Sequence, residues 1–214
     1  MQIDIIFGIV VLIFSIVLHE VAHGYMANYL GDPTAKLQGR LTLNPINHID
    51  PVGSILLPGL LLVLHSPMLI GYAKPVPYNP YNLRGKYGEG LVAFAGPGTN
   101  ILIALIFGLL IRFSGAQLGP DLISAFSTIV IINMVLAVFN LIPVPPLDGS
   151  KVLSTLLGAV SPALERGYDT FRLNFERLGI LSGTLLILAF FYFLMPFFSA
   201  FLFRLFALLT GASI

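Results

Sequence analysis

The sequence predicts an all-α polytopic membrane protein with about four transmembrane helices. A re-entrant or short helical hairpin and short extended segments are expected beside them, near the functional site. Three observations carry this reading. Of 214 residues, 57% are hydrophobic and only 10% are charged, whereas a soluble domain carries about a quarter charged residues. The mean hydropathy is +0.92, and lipid can cover that much apolar side chain where a globular core cannot. Several runs also reach the length of about 20 mostly apolar residues that a bilayer crossing requires.

The elements follow in order. Ile3 to about Leu30 is the first span. It resembles a signal peptide only superficially, because it has no basic start or small-residue cleavage site, and its polar end carries a motif that cleavage would discard. Gly90 to about Phe113 and Leu122 to about Leu141 are the second and third spans, and Ile180 to about Thr210 is a fourth, with a break or kink expected near Pro196. Ile55 to Leu64 has about half the needed length and is bounded by Pro and Gly, so a re-entrant or interfacial hairpin is expected there, with a short span extended by its flanks as the alternative. Residues 1–214 read as a single membrane domain, with no linker long enough to hold a second one.

Basic residues orient the spans. Lys36, Arg40, Lys74, Arg84 and Lys86 lie between the first two spans, and Lys151, Arg166, Arg172 and Arg177 follow the third. The turn between the second and third holds only Arg112. If Ile55 to Leu64 dips in and returns, both basic connections face the cytoplasm, as the positive-inside rule expects. The formal charge of +1 makes nucleic acid an unsuitable partner. With no Cys, disulfides and thiolate metal sites are excluded.

The first span ends in "LHEVAHG". On a helix each residue turns about 100°, so His19 and His23 lie about 40° apart on one face, with Glu20 on the adjoining face. That pattern suits two imidazoles on one Zn²⁺ with a carboxylate beside the metal-bound water. The metal would lower the pKa of that water to near 7, and the carboxylate would take its proton as it attacks a carbonyl. From Ile5 to His19 is about 21 Å of helix against a hydrocarbon core of about 30 Å, so the motif lies inside the membrane. Ionisable groups at such depth are costly and mark function.

A catalytic zinc takes three protein ligands and keeps one position open. His48, Asp50, His65, Glu89, Asp121 and Asp148 are the candidates for the third. Asp148 stands in "FNLIPVPPLDGSKVL", where three prolines end the third span and an apolar segment, Ser150 to Val160, reads as a short helix. Taken alone, Asp148 could equally be an N-cap or turn residue.

HExxH on a first core helix followed by an Asn- and Pro-rich LDG motif resembles the site-2 protease family of intramembrane zinc metalloproteases. "LTLNPINHIDPVGSILLP", "GYAKPVPYNPYNLR" and "AFAGPGTN" extend the resemblance to its compact bacterial and archaeal members, over roughly residues 15 to 155. The resemblance implies that Asp148 completes the zinc site with His19 and His23, one ion per chain, and that Glu20 is the general base. It implies a transmembrane-helix substrate cut within or near the bilayer. The orientation set by the basic residues, with the depth of the motif, is expected to put the site of this multi-pass cell-membrane protein nearer the cytoplasmic side. The soluble PDZ or nucleotide-binding domains of some members have no room here.

Asn100, in Gly96-Pro97-Gly98-Thr99-Asn100, matches the family's GxxxN pattern, and Asn140 precedes Asp148 by eight residues. Either amide could steady the substrate backbone or an oxyanion, or simply bond across packed helices. His48 and Asp50 read as turn residues, with one of them orienting a metal ligand as the alternative, and His65 as interfacial. An extended piece within Arg40 to Asn82 could pair with an unwound substrate as an added β-strand. The competing function is a non-hydrolytic metal-binding or transport protein using the same His/His/Asp site, from which Glu20 discriminates, since a binding site needs no base.

Overall fold

The computed structural model describes residues 2–56, 63, 73–179 and 189–212. Among them the apolar runs are helical: α1 (Gln2–Tyr29), α2 (Gly88–Ser114), α3 (Pro120–Asn140), α4 (Asp148–Val160), α5 (Pro162–Glu176) and α6 (Met195–Thr210). No strand occurs among the described residues. Four helical stretches are long and apolar enough to cross a membrane: Ile5–Tyr29, Gly88–Ser114, Pro120–Asn140 and Tyr192–Thr210.

These spans match the sequence reading in place and number. In the fourth, Phe190–Leu194 forms a π-helical turn and α6 starts afresh at Met195 with Pro196 in its first turn. Proline has no N–H to give and is tolerated at a helix start, so the interruption falls where the residue demands it. The beginning of this span, residues 180–188, lies outside the described residues. So does most of the hairpin expected at Ile55 to Leu64, of which only the end of the π-helical turn Pro51–Leu56 and Val63 are described.

The side chains divide along α1. Ile5, Ile6 and Ile9 are more than half exposed, whereas Ser15, Val17, His19, Val21, His23 and Ala27 are buried. The first half of the helix thus presents an apolar surface that only lipid tolerates, and the second half packs against protein. Helices α2, α3 and α6 meet around Ala104, Val130 and Met134, with Phe107, Leu205 and Phe206 packed against them.

The connector from α1 to α2 folds back over the end of α1. Asp32, fully buried, accepts hydrogen bonds from the Thr34 backbone and hydroxyl (3.3 and 2.6 Å), the Asn79 N–H (2.7 Å) and the Asn82 amide (2.9 Å). Arg40 donates to the Lys74 carbonyl at 2.8 Å. Together these bonds draw residues 73–79, which form neither helix nor strand, across the HExxH turn of α1.

Candidate active site

Helix α1 carries His19 and His23 one turn apart, with ring centroids 4.7 Å apart. After α3 the proline-rich link turns the chain back, and α4 begins at Asp148 with the carboxylate facing α1. A Cβ on Gly149 would press into the Ile142 carbonyl at 2.6 Å, so the start of α4 can seat this closely only with glycine there. The result is a cluster: Asp148 Oδ2 stands 3.1 Å from His19 Nε2 and 3.3 Å from His23 Nε2.

The far side of each ring is committed. His19 Nδ1–H donates to Asn100 Oδ1 at 2.6 Å, and His23 Nδ1–H donates to the Val92 carbonyl at 2.7 Å. With those hydrogens spent, the neutral rings turn their Nε2 lone pairs toward one another and toward a carboxylate oxygen. Three acceptors converging on one point repel unless a cation lies among them. Ligand atoms at tetrahedral zinc lie about 3.3 Å apart, given bonds of about 2.0 Å. The donor set, the tautomers and the spacing therefore fit a zinc ion.

Behind His19 lies a buried polar chain that the sequence reading did not assemble. Asn100 Nδ2 donates to Asn133 Oδ1 at 2.8 Å, and Asn133 Nδ2 donates to Ser15 Oγ at 3.0 Å. Asn100 and Asn133 are fully buried. Asn100 thus sits behind the ring, its amide spent on His19 and Asn133, and not among the residues facing the cavity. The available signal was polar residues at matching depth in three spans: Ser15 lies one helical turn before His19, and Asn133 two turns before Asn140. Gly96 faces the cluster from α2, and a Cβ there would approach His19 Nε2 to 2.6 Å. In the sequence it stands out only as the first residue of the GxxxN pattern.

The cluster opens into a cavity of about 210 Å³. Glu20, Asn140, Tyr78 and Lys151 line it together with the cluster. Glu20 Oε2 accepts the Val76 N–H at 2.9 Å, which fixes its carboxylate at the cavity wall. Asn140 gives one amide hydrogen to the Leu136 carbonyl at 2.9 Å and has a second to offer. His48 and Asp50 lie elsewhere: His48 Nε2–H donates to the Thr42 carbonyl at 2.9 Å, and Asp50 Oδ1 accepts the Val52 and Gly53 N–H groups at 2.9 and 2.7 Å, as a turn residue does. His65 is outside the described residues.

Segment 73–79 borders the cavity at Pro75, Val76 and Tyr78. Its backbone is already heavily used. Lys74 N–H donates to the His48 carbonyl (2.8 Å), Val76 N–H goes to Glu20, two residues are prolines, and the Lys74 carbonyl holds Arg40.

Comparison with known proteins agrees with this chemistry. Residues 114–174, which include Asn140 and Asp148 but not the HExxH stretch, match the model of peptidase family M50. The chain is 40% identical over 158 residues to "Putative zinc metalloprotease YwhC" of Bacillus subtilis, covering 70% of this chain and 68% of that one. The chain belongs to peptidase family M50. This is the site-2 protease family, so the protein is a membrane metalloprotease. Two more distant relatives are "Putative zinc metalloprotease Rip2" of Mycolicibacterium smegmatis, 29% identical over 73% of this chain and 61% of its own length, and "Zinc metalloprotease MJ0392" of Methanocaldococcus jannaschii, 26% identical over 69% of this chain and 33% of its own length. No solved structure matches. The names of these relatives specify zinc, and His19, His23 and Asp148 form a group that could hold such an ion.

Proposed function

We propose that this M50 protein is a single-domain intramembrane zinc endopeptidase that hydrolyses peptide bonds within or near transmembrane helices of membrane-protein substrates. In this reading His19, His23 and Asp148 hold one zinc per chain, Glu20 is the general base, and the site lies nearer the cytoplasmic face of the cell membrane. The observation that carries it is that the Asp148 carboxylate lies within 3.3 Å of both imidazole Nε2 atoms, with Glu20 on the wall of the same polar cavity.

Zinc bound there supplies Lewis-acid activation of water and of the scissile carbonyl. The protein's own groups do the rest. Glu20, oriented by the Val76 N–H, takes a proton from the attacking water and passes it to the leaving nitrogen as the C–N bond breaks. Asn100 and the Val92 carbonyl keep each imidazole in the tautomer that points Nε2 inward. Asn140, with its free amide hydrogen, is placed to bond a substrate backbone group. A peptide bond inside a helix is shielded, so the substrate must unwind locally, and its freed polar groups need partners in a place without bulk water.

The test uses purified protein in lipid nanodiscs, with proteomics of membrane fragments from cells expressing each variant. Glu20→Gln should keep zinc at one ion per chain by mass spectrometry and lose all fragments that the wild type generates. Asp148→Asn should lose turnover and hold zinc more weakly, though less weakly than a variant lacking either histidine. Fragments that persist unchanged in Glu20→Gln would favour a non-hydrolytic metal carrier and overturn the proposal.

A further inference from the structure

The cavity beside the cluster contains a cation that the reading above leaves without work. Lys151 follows Asp148 by three residues on α4, so both project from the same face of that helix. Its side chain is half-buried and lines the cavity with Glu20, Asn140 and Asp148. Nζ lies 5.1 Å from the centre of the Tyr78 ring, a cation–π distance, and no described carboxylate comes within ion-pair range of it. Burial opposes its charge, but Tyr78 and the nearby carboxylates outweigh burial and raise the pKa above the usual lysine value. An ammonium steadied by a ring, and tied to no carboxylate at ion-pair distance among the described residues, faces a cavity where hydrolysis would develop negative charge.

Resting on the endopeptidase reading, we propose that Lys151 is the anion-binding residue of this cavity, contacting the oxygen of the scissile carbonyl. Water adds to the carbonyl carbon, the C–N bond breaks, and the proton reaches the amine. Throughout, that one oxygen carries negative charge, first as the oxyanion and then in the carboxylate of the N-terminal product. A fixed cation aimed at it favours the charged states over the neutral peptide, which is where stabilisation accelerates a reaction. Asn100, spent on His19, has no such access. Tyr78 is then a positioning residue that holds the lysine from segment 73–79.

The experiment measures binding, so it reads Lys151 whether or not Glu20 proves to be a base. Zinc-loaded full-length protein in nanodiscs is titrated calorimetrically with N-acetyl-leucine, a carboxylate mimic of the N-terminal product, and with its neutral amide. The wild type should prefer the carboxylate. Lys151→Met should weaken carboxylate binding about tenfold and leave amide binding unchanged, and Lys151→Arg should restore most of the preference. Zinc content should equal that of the wild type in both variants. Equal loss for both probes, no loss for either, or loss of zinc from both variants would overturn the proposal, since each would make Lys151 a structural residue of the Asp148 turn.

Discussion

His19 Nδ1 donates to Asn100 Oδ1 at 2.6 Å across a separation of 81 residues, and this bond fixes which nitrogen of the ring faces the cluster. Replacing Asn100 with Ala should therefore lower zinc affinity by about 10- to 100-fold, although Asn100 is not a ligand. Asn100→Asp keeps an acceptor for Nδ1 and should recover part of that loss. Competition with a fluorescent zinc chelator measures both, and unchanged affinity in Asn100→Ala would show that the ring needs no such support.

Gly96 makes a sharper case. Its missing side chain leaves the space in front of both Nε2 atoms, so Gly96→Ala should reduce bound zinc more than tenfold while the helices stay folded by circular dichroism. Full zinc occupancy in that variant would mean that α2 can retreat from α1 at little cost.

The Asp32 knot should register as a pH dependence of stability. Burial pushes the Asp32 pKa up, but the bonds from Thr34, Asn82 and Asn79 outweigh it, and the folded pKa lies below the ordinary 3.8. A depressed carboxylate pKa contributes stability that is complete above the unfolded value and is lost as pH falls through the folded one. Thermal unfolding in detergent should thus weaken below about pH 4. Asp32→Asn should lower stability at neutral pH by about 1–2 kcal/mol and lack this acid component. Parallel pH profiles of the two proteins would refute the assignment.

Orientation can be read with single cysteines, because the chain has none of its own. Gly115 is a poor site, as a Cβ there would meet the Ile111 carbonyl at 2.5 Å, whereas Gly119 has nothing within 4 Å. A cysteine at Gly119 should react with an impermeant maleimide from outside, and one at Tyr81, which is 95% exposed, only from the cytoplasmic side. The reverse pattern would invert the topology.

What could be read in the sequence depended on how local each feature was. The spans follow from composition alone, and the break before Pro196 from the chemistry of one residue. His19, Glu20 and His23 follow from helical spacing within five residues. Asp148 lies 129 residues from His19, so residue spacing left it level with an ordinary cap, and only the resemblance singled it out. The role of Asn100 turned on which way its amide points, which depends on how α2 rotates against α1. Tyr78 and Lys151 meet through an irregular segment whose path is set by the Asp32 and Arg40 bonds, and no periodicity announces such a path.

Helix α2 gives the cluster no ligand, yet it grips both imidazoles, through the Val92 carbonyl and the Asn100 amide with Gly96 midway between them. Two grips on one rod move together. A slide of α2 by a single residue's rise, about 1.5 Å, would strip both rings of their partners at once. The geometry of the His19, His23 and Asp148 cluster is therefore calibrated by the seating of one membrane helix on another. A small molecule wedged between α1 and α2 from the lipid side, without entering the cavity, would silence it as surely as a chelator.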